Sequence, residues 1–233
     1  MRCGDVFRLL SEIRALPEIS IRMSGGDTCK KLFHYFTQPH PRYRIIQNKR
    51  WGVALLSVPD TYNEYVKGRD KQALRSNRKR ALDLGFHFCR SNPLEHLHDI
   101  LSINTSASVR QGRPMDSSYL SIRQLREFFN DKAEIYGVFD SMGSLKAYAD
   151  TPIAGETCIF FRLLGHSADL DKGIMYLLVS GVVQEMIEHK TKHGVPLWAM
   201  YDTFFGASQG LRYFKERLGF RPYKVRWLWE LEI

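Results

Sequence analysis

The sequence predicts an α/β protein in which a mixed, mostly antiparallel sheet is flanked by helices, and three observations carry that expectation. Ala133 to Phe139, Leu145 to Ala149 and Thr157 to Leu164 are strand-like and separated by turn residues around Gly143 and by Pro152 and Gly155, the pattern of a meander. Ile174, Leu177, Leu178, Val182 and Ile187 recur at helical spacing in a long helix from about Asp171 to His193, which Gly194 and Pro196 end. A strand (Leu197 to Tyr201), a short helix (Gln209 to Leu218) closed by Gly219, and an aromatic strand (Tyr223 to Leu231) then complete the chain.

The earlier elements follow in order. Asp5 can cap a helix whose apolar positions are Val6, Leu9, Leu10 and Ile13, limited by Pro17, and a short strand follows from Glu18 to Met23. Gly25-Gly26 makes a turn, Asp27 can cap a second helix through Phe36, and Pro39 and Pro41 mark a loop. Arg44 to Gln47 and Trp51 to Val58 read as the arms of a β-hairpin turning near Asn48. Pro59 to Gly85 is helical and strongly basic. Phe86 to Arg90 is a short strand, Leu94 to about Val109 a helix after Pro93, and Ser118 to Asn130 an amphipathic helix beyond the break at Gly112 and Pro114. No linker, repeat or low-complexity segment interrupts the series, which predicts one domain over residues 1 to 233.

With 44% hydrophobic and 12% aromatic residues, the chain can bury an ordinary core, which excludes a disordered protein. Apolar runs such as Trp51 to Val58 fall far short of the roughly 20 residues of a membrane-spanning helix, so no membrane span is expected. Met1-Arg-Cys-Gly-Asp5 lacks the apolar core of a signal peptide, which makes a cytoplasmic location the expectation. The formal charge of +9 favours polyanionic partners: RNA, a nucleotide cofactor or an acidic membrane surface. Cys3, Cys29, Cys89 and Cys158 are scattered, so neither a disulfide framework nor a four-cysteine zinc site is suggested. His96 with His98 and His87 with Cys89 lack further ligands nearby, and no metal is expected.

The order of meander, long helix, strand, short helix and strand over Ala133 to Ile233, with Gly210-Leu-Arg-Tyr-Phe-Lys-Glu-Arg-Leu-Gly-Phe220 at its end, resembles the GNAT acyltransferases. The Fem-type branch, which includes aminoacyl-tRNA-dependent peptidoglycan ligases, is closer still. Its Gly-Leu-x-x-Phe-Lys pattern is matched by Gly210, Leu211, Phe214 and Lys215, and its basic helix by Lys71 to Gly85. The resemblance covers about residues 61 to 233 and leaves residues 1 to 60 unmatched. It implies a GNAT-like fold and an N-acyltransferase working by direct attack of an amine. Acyl-CoA is the first expectation as donor and co-substrate and aminoacyl-tRNA the alternative, with tRNA as a partner in the second case. A non-catalytic RNA- or nucleotide-binding module on the same fold is the competing class.

Site residues follow from that resemblance and from the chemistry. Arg162-Leu-Leu-Gly165-His-Ser167 comes near the Arg/Gln-x-x-Gly-x-Gly/Ala turn whose backbone N–H groups hold the pyrophosphate of acyl-CoA. The long helix starts only near Gly173, so either Ala168 to Lys172 is an insertion or Asp171-Lys172-Gly173 is the phosphate-facing turn. Backbone N–H groups of Phe161 to Leu164 would polarise the donor carbonyl. Lys215 stands where many GNAT enzymes place a tyrosine acid, and its charge would stabilise the developing anion; an exposed lysine is the ordinary alternative. The attacking nitrogen must lose a proton, and Asp202, then Glu156 and His166, are the candidate bases. Asp202 could equally cap a turn. Arg75, Arg78 and Lys79 share a helix face suited to phosphate or to plain solvation, and Tyr213 is a further substrate-side candidate. No cysteine or serine has the context of a nucleophile.

Overall fold

The computed structural model describes residues 13–41, 44–110, 112–130, 132, 134–205 and 207–230. The helix expected after Asp5 lies, but for its last residues, outside them. In chain order the elements are β1 (Glu18–Met23), α1 (Asp27–Thr37), β2 (Val53–Ser57), α2 (Tyr62–Val66), α3 (Gln72–Asp83), β3 (His87–Ser91), α4 (Leu97–Thr105) and α5 (Ile122–Phe129). They continue with β4 (Ile135–Phe139), β5 (Leu145–Asp150), β6 (Ile153–Ala154), β7 (Thr157–Ile159), β8 (Arg162–Gly165), α6 (Ile174–His193), β9 (Trp198–Thr203), α7 (Gln209–Leu218) and β10 (Arg221–Trp229). These elements gather into two compact units.

The first unit comprises Met1–Val58, Pro152–Ile159 and His189–Ile233. Its sheet has the order β1-β10-β2-β9-β7-β6. Pairing is parallel between β1 and β10 and between β9 and β7, and antiparallel elsewhere. Alternate residues of each strand enter one core: Ile21 and Met23, Val225 and Trp227, Val53 and Leu55, and Met200. Helix α1 covers that face with Leu32 and Phe36, which its turn brings into line; the Phe36 ring lies tilted at 4.8 Å from that of Trp227 and Phe33 meets Trp229 edge-on at 5.4 Å. Its N-cap is Gly26, and Asp27 sits inside the first turn, where its charge meets the positive helix end instead of capping.

The expected hairpin does not form. Residues 44–47 make no strand, and Gln47 makes one isolated bridge, to Pro39. Both sides of β2 are taken by β9 and β10, which leaves no edge for a local arm.

The second unit comprises Pro59–Thr151 and Phe160–Glu188. Its sheet, β8-β5-β4-β3, is antiparallel throughout, as a meander should be, and α4 and α5 cover one face with Ile100, Ile103, Leu125 and Phe129. The stretch Thr157 to Leu164, expected as one strand, is divided. Its first three residues pair with β9 in the first unit, and Arg162–Gly165 pair with β5 in the second. Helix α6 buries residues all round, from Ile174 to Ile187; Gly181 is required because a Cβ there would lie 2.4 Å from the Phe88 ring.

Gly173 immediately precedes α6 at φ 83°, and a Cβ on it would lie 2.2 Å from the carbonyl oxygen of Asn77 on α3. Both the left-handed backbone and the close approach exclude a side chain. Gly173→Ala is therefore expected to lower stability by about 2–4 kcal/mol, read as a shifted urea midpoint at unchanged slope.

Candidate active site

In the first unit, Asp202 and Lys215 come together at the end of β9. Strand β9 pairs regularly with β2 up to Met200; its register then shifts and resumes at Thr203 opposite Val53. Within that irregularity Asp202 has φ 49°, the one non-glycine residue of the described chain with a left-handed backbone. Aspartate tolerates this conformation better than most residues, at a cost on the order of 1–2 kcal/mol.

Helix α7 supplies Lys215. Ser208 caps its start, accepting from the Leu211 N–H, and Gly219 ends it at φ 98°. Leu218 and Lys215 are its buried positions, and Lys215 is only 1% exposed. Its ammonium donates to the carbonyl oxygens of Tyr201 and Thr203, at 2.8 Å each, and lies 4.4 Å from the centre of the Tyr201 ring. These two carbonyls flank Asp202, so Lys215 holds open the irregularity that turns Asp202 outward. An ammonium has three donors, and the carbonyls take two.

Burial pulls the Lys215 pKa down to about 8; the Asp202 carboxylate opposes that and the Lys49 charge adds to it. The Tyr201 hydroxyl is pushed the other way, first by burial and then by the Asp202 charge. Asp202, whose side chain is 59% exposed, forms an ion pair with Lys49, whose side chain is 13% exposed. Neither Lys49 nor Tyr201 stands out in the sequence. The Lys49 contact joins residues 153 apart, and no local pattern signals it.

Glu156, in the same unit, is a fastener. Its carboxylate accepts from the backbone N–H of Arg22 at 2.8 Å and from the Arg22 guanidinium at 3.1 Å, tying the turn between β6 and β7 to β1. Its carbonyl takes the N–H groups of Leu197 and Trp198. Tyr213 is half exposed on the outer face of α7, with the Arg217 guanidinium 4.7 Å from its ring centre. A shallow depression there is lined by Gln209, Gly210, Arg212, Tyr213 and Glu216.

The other sequence candidates belong to the second unit. Arg162 is 4% exposed and stacked between Phe128, 3.4 Å from the ring centre, and Tyr119, at 4.0 Å. Leu164 is buried in β8. The turn after β8 uses its own amides. The N–H of His166 goes to Lys146 O, that of Ser167 to Ser106 Oγ, that of Ala168 to His166 Nδ1 and that of Asp169 to His166 O. The Gly165 carbonyl accepts from Arg110, and the Ser167 hydroxyl donates to Ser106 O. Lys172 pairs with Asp169 at 2.6 Å, and Asp169 also lies 3.7 Å from His166. A phosphate cradle needs N–H groups aimed outward. Four successive ones are committed inside this unit.

The basic helix α3 spends its charges close to home. Arg75 donates to the carbonyls of Val66 and Gly68, Arg78 lies 5.6 Å from the centre of the Tyr62 ring, and Lys79 pairs with Asp83 at 2.6 Å. Arg75 thereby closes the end of α2, and the Arg78 guanidinium packs on an aromatic face.

No family model matches the sequence, and a search of curated proteins found no match. Solved structures do match the fold. A conserved protein of unknown function from Bacteroides thetaiotaomicron VPI-5482 aligns at TM-score 0.54 and 13% identity over 72% of this chain and 56% of its own. FemX aligns at TM-score 0.52 and 13% identity over 74% of this chain and 59% of its own. The chain thus spans somewhat over half the length of these relatives.

Proposed function

From the GNAT-like, Fem-type fold of the chain, we propose that it transfers an acyl group to an amine by direct attack, with an aminoacyl ester on RNA as the donor. The observation that carries this reading is the junction at the end of β9, where a left-handed Asp202 stands between the two carbonyls gripped by the buried Lys215. The acceptor nitrogen attacks the ester carbonyl, forming a C–N bond and a tetrahedral oxyanion. Asp202 takes the proton that the nitrogen sheds. The bond between the acyl carbon and the ribose oxygen then breaks, and the leaving ribose oxygen takes up the proton that Asp202 holds. Lys215, buried and half charged near pH 8, supports the negative charge while it exists.

The donor assignment departs from the first sequence expectation, acyl-CoA, because the turn after β8 has its N–H groups spent on Lys146, Ser106 and His166. A donor that needs no diphosphate cradle there suits this turn better. The net charge of +9 suits an RNA carrier.

The test is a transfer assay on the purified chain, with bulk aminoacyl-tRNA labelled in the amino acid and, in parallel, labelled acetyl-CoA, each against a set of amine acceptors. Label passing to an amine from RNA is the expected result. Passage from the thioester alone would overturn the donor, and passage from neither the whole reading. In the same assay Glu156→Gln is expected to keep transfer within about threefold while lowering stability by roughly 1–2 kcal/mol, because its carboxylate serves Arg22.

A further inference from the structure

Lys49 lies before the stretch on which the sequence resemblance rests, yet its side chain meets the carboxylate of Asp202. It is held there by its own backbone. Its N–H donates to Phe36 O at 3.0 Å, and its carbonyl accepts from the indole of Trp227 at 2.6 Å. Phe36 and Trp227 are themselves core residues whose rings touch, so the lysine is mounted on the core that α1 covers. The ammonium also lies 5.7 Å from the centre of the Tyr35 ring.

A long side chain that gives up its freedom to pair with a mostly exposed carboxylate gains little stability by doing so. The arrangement makes sense for position. A carboxylate on a left-handed residue at a strand end has several rotamers open to it, and a fixed cation on one oxygen selects one of them while the side chain stays largely exposed.

We propose that Lys49 is a positioning residue: it fixes the Asp202 carboxylate in one orientation and keeps it from collapsing onto Lys215. The second clause follows from the charges that face one another here, which are Lys49, Asp202 and Lys215, beside the phenols of Tyr35 and Tyr201. Without Lys49, Asp202 could turn toward Lys215, whose charge it already feels. The catalytic half of the proposal rests on the transfer reading above; the electrostatic half does not.

Two measurements therefore test it separately. The first follows the titration of the Lys215 Nζ by heteronuclear NMR in wild type, Lys49→Met, Lys49→Arg and Asp202→Asn. From a wild-type midpoint of about 8, Lys49→Met should move it upward, Lys49→Arg should leave it near wild type, and Asp202→Asn should move it downward. An unchanged or lowered midpoint in Lys49→Met would overturn the proposal, whether or not transfer has been found.

The second measures transfer once an acceptor is known. Lys49→Met should lower kcat about 10- to 100-fold with KM changed little, and Lys49→Arg should restore most of it. The double variant with Asp202→Asn should be no slower than Asp202→Asn alone, within about twofold. Losses that multiply in the double variant would mean that Lys49 acts independently of Asp202, and would overturn the positioning role. Absence of transfer in wild type would sink the proposed function and leave the titration to decide on Lys49.

Discussion

Asp202→Asn is expected to cut the rate of acyl transfer by a factor of about 10² to 10⁴, with KM for the donor nearly unchanged, because a carboxylate that accepts the nucleophile's proton is needed only as the bond forms. Asparagine is a sharp test because it also tolerates the left-handed backbone at φ 49°, so the turn should survive the exchange. What disappears is the proton acceptor and the charge opposite Lys49. Thermal melting should show a change below about 1 kcal/mol, the worth of a largely exposed ion pair. A full-rate Asp202→Asn protein would remove Asp202 from the reaction and return it to the turn-forming role its residue type often fills.

The second large effect is a pH dependence of stability carried by Lys215. Its pKa is lowered by burial to about 8 in the folded chain, against 10.5 as the ordinary value. Between those values the unfolded chain holds a proton that the folded chain has released, so folding gains as pH rises through this window. From pH 7.5 to 9.5 the gain attributable to Lys215 is about 2 kcal/mol. Lys215→Met keeps the length and lacks the titrating group, so the wild-type minus variant difference in unfolding free energy should grow by that amount over the interval. Tyrosines with raised pKa values, Tyr65 and Tyr148 among them, act above this range and cancel in the difference. A flat difference would mean that the ammonium is solvated, and the site would lose the low dielectric on which its charge support depends.

What could be read from the sequence was whatever is decided locally. Helix α7 has the expected bounds, Gln209 to Leu218 with Gly219 beyond, because cap and stop residues act within a turn of where they stand. Strand β1 likewise coincides with its alternating run from Glu18. The larger failures are long-range, whereas the displaced cap at Gly26 is a local one. β2 looked like half of a hairpin because its neighbours β9 and β10 are supplied by the far end of the chain, and hydrophobic alternation names no partner. Thr157 to Leu164 looked like one strand because its pattern is continuous, while its two halves answer to different sheets. Arg162 fits a ligand-facing motif by spacing, but the rings of Tyr119 and Phe128, from elements before the meander, enclose it. At the candidate site, Asp202 could be singled out by its place at a strand end and Lys215 by the resemblance carried by Gly210 to Phe220. Lys49 could not, since only the folded chain brings it to Asp202.

The grip of Lys215 on Tyr201 O and Thr203 O has a bearing on how such a protein can change over evolutionary time. Every amino acid offers a carbonyl. The carbonyl at 203 would be there whatever residue stood in that place, so position 203 is free to drift as far as this contact is concerned, whereas at 201 the tyrosine ring also faces the ammonium. A junction written in the path of the backbone can outlast the letters that first encoded it.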